Sequence, residues 1–367
     1  MPRIVYQNGT SRRAHVAAKA DLTLAFRLVR RHALRLWISG VQMWDFSISK
    51  AFRIMLRTAP FLVFRVVVYF GMAAALVIVT GTGAGVGYGF GAFGDEDFQA
   101  SSAFWGGAAG LALTAGVIFF LRDYTLYMVK AGHIAVMVEL LDGRSVPGGR
   151  GQIAHAREVV KARFGQASAL FALDVLVKGV INAVTGLLGG LMSFLPIPGL
   201  DRLMGGLQAY LRLAVGLIDG VILGHAIRTR SENAWEAAHD GLVLYAQNAR
   251  PMLANAAWLA LMTWVLATLV FLAVLGPAAA LAGVMPGDDM AGTFVLALIF
   301  AWAVKAALIE PFAVACMLQV FLRVTEGQEP MPEWKGRLTR ASDKFRKLGE
   351  RALSVAHSAG SGVGMQT

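Results

Sequence analysis

Four stretches of this chain, 66–94, 98–121, 179–200 and 251–287, contain no Asp, Glu, Lys or Arg. A helix needs about 20 predominantly apolar residues to cross the hydrocarbon core of a bilayer. In lipid every backbone N–H and C=O must be satisfied inside the protein, so only helices and closed barrels can span. The runs include solid blocks such as Val66-Val67-Val68 and Leu266 to Leu275, without the two-residue alternation of a lipid-facing strand. They predict an all-α fold, a polytopic transmembrane helical bundle.

Charge supports the same class. Only 16% of the 367 residues are charged, against about 25% in soluble domains. The single cysteine, Cys316, excludes an internal disulfide and a multi-cysteine metal cage. The net charge of +11 is unevenly spread, with eleven Lys and Arg between Arg3 and Arg57 against Asp21 and Asp45. Basic residues crowded beside a first span follow the positive-inside rule and attract anionic lipid headgroups. The expected partners are therefore the bilayer and its headgroups, not nucleic acid.

Six spans fit best, near 60–82, 103–129, 168–194, 203–227, 252–276 and 292–321, paired as three helical hairpins. They form a membrane domain over 60–322, between a basic amphipathic segment at 1–59 and a basic C-terminal helix and tail at 323–367. The connection 83–102 holds Asp95, Glu96 and Asp97 without a base, and 277–291 holds Asp288 and Asp289. The connection 195–202 is short. Arg144, Arg157, Lys161, Arg228 and Arg230 fall in the alternate connections. All basic segments then share one side, which places both termini in the cytoplasm of a cell with a bacterial-type inner membrane. The first apolar block begins near residue 60, too deep for a cleavable signal, so the first span is expected to stay. Self-association of such a bundle is compatible with the chain.

The spans read as three copies of one unit. Each begins with an amphipathic segment, Ala51–Arg57, Ala156–Lys161 or Ala238–Leu244, with Pro60 and Pro251 at comparable positions after the first and third. Gly132-His133 matches Gly224-His225, and Asp142-Gly143 is echoed by Glu326-Gly327. Duplication of this kind is common in transport proteins. In the flanks, Arg27, Arg31 and Arg35 mark one face of a surface helix over 14–37. Trp334, Leu338, Ala341, Phe345, Leu348 and Ala352 repeat in steps of four and three, as a packing helix or short coiled coil does.

Charge within the spans marks candidate functional residues, because each costs at least about 2.5–3.5 kcal/mol near a helix centre. Asp174, Lys178 and Asn182 share one face of span three, and Arg212 and Asp219 one face of span four. These neighbours can pair across the hairpin. Lys305 and Glu310 lie in span six, beside the helix-distorting Pro311. Together they outline a polar seam for a small solute or ion; as internal ion pairs they would instead only fix helix register.

The run Gly81 to Gly94 contains Gly85-Val86-Gly87-Tyr88-Gly89, like a potassium filter, but no pore helix precedes it. Gly81, Gly85 and Gly89 are spaced for close helix contact, and a flexible outer loop fits equally well. His155 and His239 look solvated. No nucleophile elbow, metal-ligand spacing or phosphate loop is present, so neither an enzyme, a cofactor nor a metal is expected.

Ile309 to Phe321, with Glu310 opening an apolar, Cys316-containing helix that closes at Glu326-Gly327, resembles the last span of the choline transporter-like family. The likeness covers the last quarter of the chain. Val314 stands where that family has a second acid, and its Asn-Asp pair is missing. The resemblance implies transport of choline or a related cation, with Glu310 as the residue carried over. The sequence as a whole reads as a six-span protein moving a small solute or ion. The alternative is a membrane scaffold whose basic flanks recruit cytoplasmic partners or anionic lipid.

Overall fold

Long helices follow the apolar runs, and their breaks follow the few residues that can cap or interrupt a helix. A computed structural model of the chain describes residues 44–121, 126–164, 173, 175–180, 217–231, 233–282 and 290–363. The chain divides into Met1–Asp45 and Phe46–Thr367, and the elements below belong to the second unit. Every regular element among the described residues is helical. Four are long and apolar enough to cross a membrane: Ala59–Gly91, Glu96–Phe119, Ala249–Leu281 and Gly292–Val324. The expected surface helix at 14–37 and most of the expected spans 168–194 and 203–227 lie outside the described residues.

Helix α1 (Ile48–Arg57) is capped by Ser47, whose side chain accepts from Lys50 N–H. Ala51, Ile54 and Met55 face the protein, while Phe52 and Leu56 are exposed. A single residue, Thr58, separates α1 from α2 (Ala59–Gly91), which carries Pro60 in its first turn. Both the Thr58 N–H and its hydroxyl donate to Ile54 O, closing α1 at 2.9 and 3.0 Å. The same joint recurs between α6 (Ala234–Gln247) and α7 (Ala249–Ala282). There Asn248 returns its N–H and side-chain amide to Leu244 O, with Pro251 just beyond. The amphipathic segments at Ala51–Arg57 and Ala238–Leu244 thus occupy matching positions in the fold. The middle one lies in α5 (Arg150–Phe164), and the chain after it is outside the described residues.

Helix α2 runs through the glycine-rich segment to Gly91, well past the expected limit at 82. That segment is helix, neither loop nor filter. Only 92–95 remain as the turn into α3 (Glu96–Leu121), where Asp95 Oδ1 accepts from Phe98 N–H at 2.8 Å. Glu96 and Asp97 then sit in the first turn, where the helix dipole favours negative charge. The contact stripe is displaced by two residues from the one expected: Gly83, Gly87 and Gly91 face α3, while Gly81, Gly85 and Gly89 have open space around them. A Cβ on Gly83 would fall on the Gly106 carbonyl oxygen, and one on Gly87 on that of Ser102.

The expected second span, 103–129, is described only in part. Helix α3 is described to Leu121 and α4 over Tyr127–Leu141, with 122–125 outside the described residues. Helices α4 and α9 (Glu310–Val324) terminate at glycines with φ of +74° (Gly143) and +69° (Gly327), the left-handed conformation open to a residue without Cβ. The acid-glycine echo is therefore a shared helix stop.

The core centres on α9, with Met317, Leu318 and Phe321 fully buried. The C-terminal stripe is split by Ser342 into α10 (Pro332–Ala341) and α11 (Asp343–Val363). Helix α11 packs on α6 through Phe345 and Leu348, both 0% exposed. His239, which looked solvated, is 4% exposed and stacks on the Phe345 ring at 4.2 Å.

Gly87→Ala is expected to lower the melting temperature in detergent, as overpacking against backbone costs about 1–3 kcal/mol. Gly85→Ala, facing open space, should be neutral or gain up to about 1 kcal/mol. Equal melting of the two variants would remove the displaced glycine stripe as the contact.

Candidate functional site

The site is organised by a fault in one helix. Helix α8 (Met290–Val304) enters α9 through a π-helical turn, Lys305–Ile309. Within it the Glu310 N–H donates to Lys305 O, five residues back rather than four. The next carbonyl in that register, Ala306, would take its donor from residue 311, which is proline and has none. Arg65 supplies it from α2, its Nη2 donating to Ala306 O at 2.6 Å. The turn also creates a second contact. At 3.6 residues per turn, positions five apart diverge by about 140°, yet Lys305 Nζ reaches Glu310 Oε1 at 2.9 Å.

A second charged pair lies nearby. Asp219, in the helical stretch 217–228, has a side chain only 4% exposed. It accepts from Lys130 Nζ of α4 at 2.6 Å, and Lys178 Nζ stands 3.9 Å away. Lys178 also lies over the Tyr127 ring. Next to this pair, His133 is 1% exposed, stacked parallel to Phe61 at 5.2 Å, with Nε2 2.9 Å from Thr58 Oγ1. With the Thr58 hydroxyl donating to Ile54 O, that oxygen accepts from the His133 Nε2–H. Burial, reinforced by the Arg65 charge, holds the imidazole well below its usual pKa, so His133 is neutral.

These groups line one cavity of about 710 Å³. Arg65, Lys130, Lys178, Asp219, Lys305 and Glu310 supply its charges, while Tyr69, Ile134, Met137, Trp264 and Val314 supply apolar wall. Of the residues expected from sequence, Asp219, Lys178, Lys305 and Glu310 are brought together here. Asp174, Asn182 and Arg212 lie outside the described residues. Arg65 and Lys130 were not expected. Arg65 stands one residue before the first charge-free run, and Lys130 one residue after the expected end of span two. A search for charges inside the helices as they fold would have found both.

Outside the cavity, Asp142 joins Arg144 at 2.8 Å and Arg228 at 2.9 Å. His155, which looked solvated, pairs with Glu139 at 2.6 Å. Among the described residues no three His, Cys, Asp or Glu side chains converge as a metal site. No protein-family model, curated protein or solved structure matches the chain.

Lys130→Met is expected to destabilise the protein by about 3–5 kcal/mol, because it strips a buried carboxylate of its closest partner. Adding Asp219→Asn should recover most of that loss, and the coupling to Lys130 should exceed the coupling to Lys178, read from double-mutant cycles of thermal unfolding. Pro311→Ala should reduce the cost of Arg65→Met in the same assay, since an alanine at that position offers a backbone donor.

Proposed function

We propose that the chain is a six-span inner-membrane protein, built as three helical hairpins with both termini in the cytoplasm, that moves a small solute or ion through this cavity. One observation carries the reading. Charges scattered from position 65 to position 310 meet in a single cavity inside an assembly of otherwise apolar helices. Six such groups are costly in lipid, and two ion pairs serving only to fix helix register would not need a volume of this size between them. The cavity lies within the range of about 300–1,000 Å³ typical of small-molecule sites.

The scaffold alternative rests on basic flanks that recruit cytoplasmic partners or anionic lipid, and it would leave the apolar stripe from Trp334 to Ala352 open. That stripe is already used by α6: Leu338, Phe345, Leu348 and Ala352 are buried within the chain. Transport needs no catalytic group, and energy would come from a gradient or a partner subunit.

Flux of labelled organic cations, anions and neutral solutes into proteoliposomes tests this. The wild type is expected to exceed empty liposomes for at least one class, and Glu310→Gln and Asp219→Asn are each expected to reduce that flux about tenfold, equivalent to about 1.4 kcal/mol. Unchanged flux in both variants would remove the cavity from the mechanism.

A further inference from the structure

The sign of the cavity's charge narrows what it can hold. Lys130 and Lys178 share Asp219, at 2.6 and 3.9 Å, and Lys305 faces Glu310, so two carboxylates stand among three ammonium groups in the described lining. Arg65 has no carboxylate within ion-pair range among the described residues. It is nonetheless only 6% exposed, on a helix packed against α8 and the π turn, with Tyr69 beside it at 5.6 Å. One donor, Nη2, serves the Ala306 carbonyl, and Nε has no hydrogen-bond partner among the described residues. A carbonyl orphaned by proline needs only a neutral donor. A permanent charge in low dielectric costs several kcal/mol more than that duty requires, and a guanidinium without a paired carboxylate on the wall of a cavity is suited to an anion.

We propose that the cavity binds a small organic anion, a carboxylate carrying an apolar body, with Arg65 holding the carboxylate. The inference rests on the solute-path reading above and gives it a substrate class. Four cationic side chains stand against two carboxylates in the described lining, which favours an anionic ligand. Planar guanidinium and planar carboxylate are also matched in shape. The apolar body has its own surface, since Ile134, Met137, Leu217, Trp264 and Val314 line the same volume.

The test is ligand-induced thermal stabilisation and calorimetry of the full chain in detergent, with benzoate and hexanoate as probes. Acetate, inorganic phosphate, choline and phosphatidylglycerol form the comparison arms. Benzoate and hexanoate should raise the melting temperature of the wild type, and acetate, without the apolar body, should act only at far higher concentration. Arg65→Gln keeps a donor for Ala306 O and removes the charge. It should melt near the wild type without ligand and bind the two acids about ten- to hundred-fold more weakly. Three results would overturn the proposal: no response to either acid, an equal response in Arg65→Gln, or a response confined to choline. Stabilisation by phosphatidylglycerol alone, lost in Arg65→Gln, would also overturn it by giving the charge to a lipid headgroup. Flux of other solutes without binding of these acids would sink the anion assignment and leave transport standing. Acid binding without flux of any solute would do the reverse.

Discussion

Proline at position 311 removes one backbone donor from a helix that lies among apolar side chains, and much of the site follows from that loss. An orphaned carbonyl in such surroundings costs about 1–3 kcal/mol unless something donates to it. The helix responds by widening to a π turn at Lys305–Ile309, and α2 responds by sending Arg65 to Ala306 O. The widened turn swings Lys305 onto Glu310. Three charged side chains are thereby fixed along one edge of a cavity by a single missing N–H. π turns are often found at functional positions for this reason: they break helical symmetry without breaking the helix.

The second constraint is the contact between α2 and α3. Gly83, Gly87, Gly106 and Gly110 allow the two backbones to meet without side chains between them. Lipid gives apolar helices no hydrophobic reason to associate, so van der Waals contact of this kind must hold the pair. The hairpin that results positions Arg65, which lies on the same helix six residues from its start.

Much of the fold was legible in the sequence, and the exceptions have physical causes. Three charge-free runs, 66–94, 98–121 and 251–287, fall on long helices, and the run 179–200 lies largely outside the described residues. Gly292–Val324 is long and apolar despite Lys305 and Glu310. The matching prolines at 60 and 251 foretold the matching joints at Thr58 and Asn248. Helix length was misjudged over 83–91 because glycine weakens a helix in water but permits one that a close neighbour supports. The glycine spacing was right and its phase was not, because the facing residues are chosen by the partner helix. Lys305 and Glu310 were recognised as candidates, yet their pairing was invisible at 3.6 residues per turn. Arg65 was missed although it lies within the expected span 60–82, because candidate charges were sought in the later spans. His239 was misjudged because its cover, Phe345, lies 106 positions away in the chain.

Thr58 and Asn248 leave no slack between an amphipathic helix and the long helix that follows it. A short helix with Phe52 and Leu56 on its outer face sits naturally at the level of the lipid headgroups. Because one residue joins it to α2, the long helix cannot change its inclination without turning the short one. Thr58, whose hydroxyl closes α1 on Ile54 O, is also the hydrogen-bond partner of His133 on the cavity wall, so the joint and the cavity share one side chain.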